Sequence, residues 1–221
     1  MERAFLKSQK HVLWEALIIA IFLFGIGVLL GIFIENARSE NISDLYLQSE
    51  TDTLDLLIHS DILEFDSINC QETIKSNIEF GDKIYESALT LGNYEGASRI
   101  TNVIKQQHKK YDTLRTLFWV NSIKIKEKCG NNFHTIVYLY NYEPKEITET
   151  TKEKTFSNFL WELKQEKGNE VILIPIARNM GITSLDILQG KYGINQTSII
   201  VDEDLVVSEI ADLVQIKNYI S

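Results

Sequence analysis

The longest unbroken apolar stretch in the chain runs from Ala16 to Ile34, nineteen residues without a charged side chain. At about 1.5 Å of rise per residue, a helix of that length matches the roughly 30 Å hydrocarbon core of a bilayer. The pattern predicts a single transmembrane helix over residues 13–34, preceded by a tail of residues 1–12. The stretch is longer than the apolar part of a cleaved leader, and Glu35-Asn36-Ala37-Arg38 offers no small-x-small cleavage site. An uncleaved signal anchor is the expectation.

Behind the anchor, residues 41–130 lack proline and read as helical, coiled-coil-like segments. A first helix is expected near Ile42–Phe65, with Leu47, Leu54, Leu57, Ile58 and Ile62 as its inner stripe. The second begins at about Ser67, with Ser67 and Gln71 or Glu72 as capping groups, and buries Ile74, Ile78, Ile84, Tyr85, Ala88 and Leu91. A turn at Gly92-Asn93 leads into a third helix, Tyr94–Lys128, whose Ile100, Ile104, Tyr111, Leu114, Phe118 and Ile125 recur at heptad-like positions up to a stop at Cys129-Gly130. Together they predict an antiparallel helical hairpin.

After Gly130 the apolar period shortens and the elements alternate. Strands are expected at Thr135–Tyr140 and Val171–Ala177, each followed by a helix, Phe156–Gln165 and Ser184–Tyr192. The β-branched runs Thr197–Val201 and Leu205–Val207 form a hairpin about Asp202-Glu203-Asp204, and a helix over Ser208–Ile220 closes the chain. The order βαβαββα over residues 132–221 calls for a central mixed sheet with helices on both faces. The fold class is therefore α+β overall: one membrane helix, a helical hairpin or stalk, then an α/β domain.

Charge gives the anchor a direction. Arg3, Lys7 and Lys10 precede the apolar run, whereas Arg38 follows it in the company of Glu35 and Glu40, so the positive-inside rule puts the N-terminus in the cytoplasm and all that follows Ile34 outside. Trp14 falls at the interfacial position, and Glu15 reads as a solvated flanking charge one turn from His11. Within the span Ala16, Ala20, Gly27 and Gly31 line one face, and the GxxxG pair Gly27/Gly31 would let two helices approach closely as a homodimer. The alternative is a face turned to lipid.

The formal net charge is −9, with the acidic excess beyond the anchor and no basic stripe, which argues against nucleic acid as a partner. The two cysteines, Cys70 and Cys129, both fall in the exterior part, an oxidising location under this topology. Cys70 opens the second predicted helix and Cys129 closes the third, so both lie at the hairpin end away from Gly92. A disulfide there would stabilise the fold by about 4 kcal/mol on the loop-entropy account. The alternatives are two separate small apolar side chains or a redox pair, although neither cysteine has a CxxC partner.

The element order, taken with Lys191-Tyr192-Gly193-Ile194-Asn195-Gln196-Thr197-Ser198-Ile199-Ile200-Val201, resembles the thioredoxin-like family, in which a Tyr-Gly-Val/Ile stretch leads into the third strand. The resemblance covers residues 132–221 and implies that family's fold. Members that exchange disulfides carry CxxC at the end of the first strand, where this chain has Glu143-Pro144-Lys145-Glu146. Both thiol positions are thus glutamates. The position of the family's cis-proline falls to Ser198, for which a trans bond is expected. The resemblance therefore implies a thioredoxin-like domain without thiol chemistry.

Other chemistry is sparse. Glu143 and Glu146 could form an acid/base pair, but carboxylates at a helix start are favoured by the helix dipole alone. His11, His59, His108 and His134 show no metal-ligand spacing, no glycine-rich phosphate loop occurs, and Asp202-Glu203-Asp204 reads as a solvated turn. No cofactor or metal is implied. Asn41 and Asn195 head glycosylation sequons, with Asn41 equally suited as a helix cap. The expected function is that of a membrane-anchored extracytoplasmic protein, redox-inactive and working through an unidentified protein partner. The alternative is a membrane thiol-disulfide oxidoreductase using Cys70 and Cys129, or an accessory subunit of a membrane enzyme complex.

Overall fold

The computed structural model describes residues 2–65, 67–95, 101–130 and 132–220. Of the positions singled out above, Ile100 and the side chains of Arg3, Lys7, Lys10, Glu35, Arg38, Glu40, Asn41, Leu47, Leu91 and Ile104 lie outside the described residues. The chain divides into two compact units, Met1–Leu45 and Tyr46–Ser221.

The first helix, α1, spans Glu2–Ile62. Within it His11–Ile34, 24 residues at a mean hydropathy of 3.1, is long and apolar enough to cross a membrane. Its large side chains, from Val12 to Ile34, are exposed, as a lipid-facing helix requires.

Tyr46–Ser221 contains the remaining elements: α2 (Cys70–Glu95), α3 (Thr101–Cys129), β1 (His134–Tyr140), α4 (Ile147–Lys167), β2 (Val171–Ala177), α5 (Thr183–Tyr192), β3 (Ser198–Val201), β4 (Leu205–Val207) and α6 (Leu213–Tyr219). The four strands form one mixed sheet in the order β2-β1-β3-β4. β1 runs parallel to β2, with Ile136 beside Leu173, and antiparallel to β3, with Val137 beside Ile200; β3 in turn pairs antiparallel with β4. Alternation along the strands sorts the side chains between two faces. Ile136, Tyr138, Leu173, Ile199 and Val201 share one core with Phe156, Leu160 and Leu163 of α4 and Leu213 and Ile216 of α6. On the other face Ile172 meets Gly81 of α2 and Phe118 of α3. Helices thus cover both faces of the sheet, and one of the two covers is the helical hairpin itself. From Tyr46 on, the segments read as 41–130 and 132–221 fall within the one unit.

Four local expectations are corrected. Gly92-Asn93 is no turn, because α2 continues through it to Glu95. The cap of α2 is Asn69, not Ser67: its Oδ1 accepts the Glu72 N–H at 3.3 Å, and its Nδ2 donates to the Glu72 carboxylate at 3.4 Å. Leu54, Leu57, Ile58 and Ile62 point outward, and the inner side here is Leu56 and Ser60 of α1 with Leu63 just beyond it. That face is held to α3 by Asn121 Nδ2 donating to the Leu56 carbonyl at 2.8 Å, Lys124 to Ser60 at 2.7 Å and Lys128 to the Leu63 carbonyl at 2.6 Å. Polar groups on α3 chose the side, and apolar periodicity alone does not see them.

The fourth concerns Asp202-Glu203-Asp204, which is anchored rather than solvated. Asp202 and Glu203 both take left-handed conformations, with φ of 49° and 62°, as the two central residues of the turn that the Asp204 N–H closes on the Val201 carbonyl at 3.1 Å. Neither is glycine, and their carboxylates turn inward onto Lys126 of α3, Nζ lying 2.6 Å from Asp202 Oδ1 and 3.3 Å from Glu203 Oε2. Trp119 Nε1 donates to Glu203 Oε1 at 2.9 Å, and the Thr135 backbone N–H donates to Asp202 Oδ1 at 2.8 Å. Bonds to the sheet and to α3 thereby offset the backbone cost of about 1 kcal/mol or more per residue.

Candidate functional site

In parallel α/β arrangements, chemistry gathers beyond the C-terminal ends of the strands, where loops converge. Here that end is built from the loop between β1 and α4 together with Thr197, just before β3. Glu143, Pro144, Lys145 and Glu146 occupy the loop, and with Asn141, Lys152, Asn179 and Thr197 they line a cleft of about 530 Å³. Glu143 is held in a left-handed conformation, φ 55°. Glu146 is the N-terminal boundary residue of α4, and its side chain makes no capping bond to the helix backbone.

Beneath the cleft lies a polar lattice centred on Glu153, a buried residue of α4. Its Oε1 accepts the Asn141 backbone N–H at 2.8 Å and the Thr197 hydroxyl at 2.9 Å. The Asn141 side chain donates to Glu149 and accepts from Arg178 Nη1 at 2.9 Å. Arg178 is fixed in turn through its own backbone N–H on the Tyr140 carbonyl at 2.7 Å and through Gln189. Asn179 and Tyr142 clasp each other by backbone-to-side-chain bonds of 2.7 and 3.0 Å. Tyr138 donates to the Glu153 carbonyl at 3.0 Å, and burial, reinforced by the Glu153 charge, pushes its phenol far above the ordinary range. The cleft is therefore lined by carboxylates, amides, hydroxyls and two lysines, with the hydrogen-bonded Glu153–Asn141–Arg178 lattice beneath them. Among the described residues no cluster of three His, Cys, Asp or Glu side chains could hold a metal ion.

Glu143 and Glu146 are brought together here, as the loop position implies. Ser198 lies next to Thr197 but is buried, with Oγ bound to the Gln196 carbonyl at 3.0 Å and to Ser208 Oγ at 2.7 Å, and it does not line the cleft. No cis peptide bond occurs among the described residues. Cys70 and Cys129 are joined as a disulfide. It lies at the opposite end of the sheet, since Cys129 leads into the start of β1 and Glu143 follows its end, and seven strand residues span about 20 Å. Ala16, Ala20, Gly27 and Gly31 sit on the exposed apolar helix, and nothing lies within 4 Å of a Cβ built on Gly27 or Gly31. Asn141, Glu153, Thr197 and Arg178 are the residues that sequence reasoning missed. Their one signal is Glu153, three residues before Phe156 on a face that is otherwise apolar. The chain matches no family model, and neither the curated proteins nor the solved structures offer a match.

Proposed function

We propose that this is a single-pass membrane protein whose C-terminal part is a thioredoxin-like domain without thiol chemistry, held outside the cytoplasm and acting by binding another protein. One observation carries the binding role. Leu54, Leu57, Ile58 and Ile62 on α1, with Phe65 just beyond it, form a continuous exposed apolar stripe on the side away from α3. Exposed apolar faces of this kind mark association surfaces.

Three further features support the rest of the reading. The sheet order β2-β1-β3-β4, in which β3 alone runs against its neighbours, suits a thioredoxin-like domain. Glutamates stand in the β1–α4 loop at the thiol positions, and both sulfurs are committed to a bond at the other end of the sheet. The basic residues Arg3, Lys7 and Lys10 ahead of the span favour a cytoplasmic N-terminus.

The test uses the full chain in native membranes, with a photo-crosslinking side chain placed at Ile58 and, as a control, at Gly190 on α5. A discrete crosslinked protein from Ile58 and not from Gly190 is expected, together with protease access to the C-terminal part only from outside. Catalytic reduction of insulin disulfides by the purified chain, lost in Cys70→Ser, would overturn the reading in favour of a thiol oxidoreductase.

A further inference from the structure

Between Arg38 and Lys75 the chain carries no lysine or arginine, against nine aspartates and glutamates. In the folded chain these acids fall into two groups. Those turned toward the hairpin are neutralised by it: Asp52 lies 2.8 Å from Lys83 of α2, and Glu50 accepts from Lys110 of α3 at 2.5 Å. Asp55, Asp61 and Glu64 are exposed, and among the described residues none of the three makes an ion pair.

Their positions follow the apolar stripe. At 3.6 residues per turn, Leu54, Ile58 and Ile62 fall along one line of α1 with Leu57 beside them. Asp55 borders that line on one side and Asp61 on the other. Glu64 follows in the turn that ends the helix, next to Phe65. Leu54, Ile58 and Phe65 are 63, 58 and 62 % exposed, so the line is open from end to end. An apolar centre with a charged rim is the anatomy of a protein interface, and a line of every third or fourth residue suits the face of another helix.

The rim decides between occupants. In a twofold contact with a second copy of this chain, the three carboxylates would face their own counterparts, and like charges across an interface disfavour it. An anionic lipid surface is repelled for the same reason. We infer that the stripe receives an amphipathic helix of another protein whose apolar face is bordered on both sides by lysine or arginine, Leu54, Ile58 and Ile62 packing on that face while Asp55, Asp61 and Glu64 pair with the basic border. This rests on the protein-binding reading above and names the chemistry of the partner. An exposed ion pair contributes at most about fivefold in affinity, so the three pairs set selectivity while the apolar line supplies most of the binding.

The experiment is a fluorescence-anisotropy titration of the full chain, in nanodiscs of zwitterionic lipid, with two labelled two-heptad peptides: a repeated Leu-Lys-Lys-Leu-Leu-Lys-Lys and the same peptide with glutamine for lysine. Empty nanodiscs are the blank. The lysine helix is expected to bind saturably and about tenfold tighter than the glutamine helix at low salt, the two converging near about 1 M salt, where the screening length is about 3 Å. The triple variant Asp55→Asn/Asp61→Asn/Glu64→Gln should bind the lysine helix about tenfold more weakly and the glutamine helix as before. Ile58→Ser should weaken both by about fivefold or more. All four positions are exposed, so thermal midpoints should match the parent's. Equal binding of the two helices, both weakened by Ile58→Ser, would overturn the basic partner and leave the stripe as a docking surface. Lysine-helix binding indifferent to Ile58→Ser, no saturable binding, or a crosslink from Ile58 to a second copy of this chain would also overturn the inference. Failure of the protein-binding reading itself shows separately, as the absence of any discrete crosslink from Ile58.

Discussion

Lys126 and Asp202, 76 residues apart in the chain, meet at 2.6 Å between α3 and the β3–β4 turn. The lysine also reaches Glu203, at 3.3 Å, so one nearly buried ammonium holds two carboxylates that their backbone would not otherwise keep in left-handed conformations. Replacing Lys126 with methionine leaves both acids without their counter-charge, and the full chain should lose about 3 kcal/mol of stability. Urea unfolding followed by Trp119 fluorescence is the measurement, since that indole bonds to Glu203. A loss below about 0.5 kcal/mol would show the pair to be incidental.

Acid should unfold the same corner. Burial works to raise the Asp202 pKa, but hydrogen bonds from Lys126 and His134, with the Lys126 charge and the Thr135 N–H, hold it below the usual carboxylate value. A group whose native pKa is depressed contributes stability at pH values above its unfolded pKa, and that contribution disappears as pH falls through the native value. Thermal midpoints should therefore fall from about pH 4 downward, and Asp202→Asn should flatten that part of the profile. An unchanged slope in the variant would assign the acid transition to other carboxylates.

Two glycines inside helices should respond oppositely to alanine. At Gly81 in α2 an added Cβ would sit 2.8 Å from Ile172 Cγ2 and 3.2 Å from the Phe118 ring, where the hairpin meets the sheet. The crowding, about 1 to 3 kcal/mol, outweighs the helix-propensity gain of about 1 kcal/mol, so Gly81→Ala should destabilise. At Gly190 in α5 nothing lies within 4 Å, and Gly190→Ala should stabilise by about 0.5 to 1 kcal/mol. Paired unfolding midpoints test both; a gain at Gly81 would mean that α2 can move away from the sheet at little cost.

These contacts also show what the chain makes legible and what it conceals. The strands could be read because Val171–Ala177 and Ser198–Val201 are β-branched runs bounded by turn residues, and such runs carry their own register. The disulfide could be read because its cysteines open one helix and close the other, which brings them to the same end of the hairpin. The turn at Gly92 was misplaced because a glycine followed by asparagine signals a break on local chemistry alone, whereas here the helix continues past both. Glu153 and Arg178 were opaque for another reason. Each is a charged side chain whose partners come from distant parts of the chain, and periodicity treats such residues as surface. The β1–α4 cleft lies over both.

Removing both sulfurs should cost stability without changing the architecture. The disulfide spans 59 residues, and the double variant Cys70→Ser/Cys129→Ser should unfold about 4 kcal/mol more easily by the loop-entropy account. The Asn69 cap and the α3 bonds to α1 are independent of it, so the circular dichroism spectrum of the folded variant should match that of the parent. A changed spectrum would mean that the bond defines the hairpin instead of securing it.

The same bond alters what breakage of the chain would mean. Cys70 and Cys129 enclose the whole of α2 and α3 between them, so a peptide bond cut anywhere in that span releases nothing. The sheet and its carboxylate loop would stay tethered to the apolar helix through sulfur. Such a nicked molecule would run at full length on a gel until a reductant was added. Under the topology proposed above, where proteases act and reductants are scarce, the disulfide would let retention at the membrane survive a severed backbone.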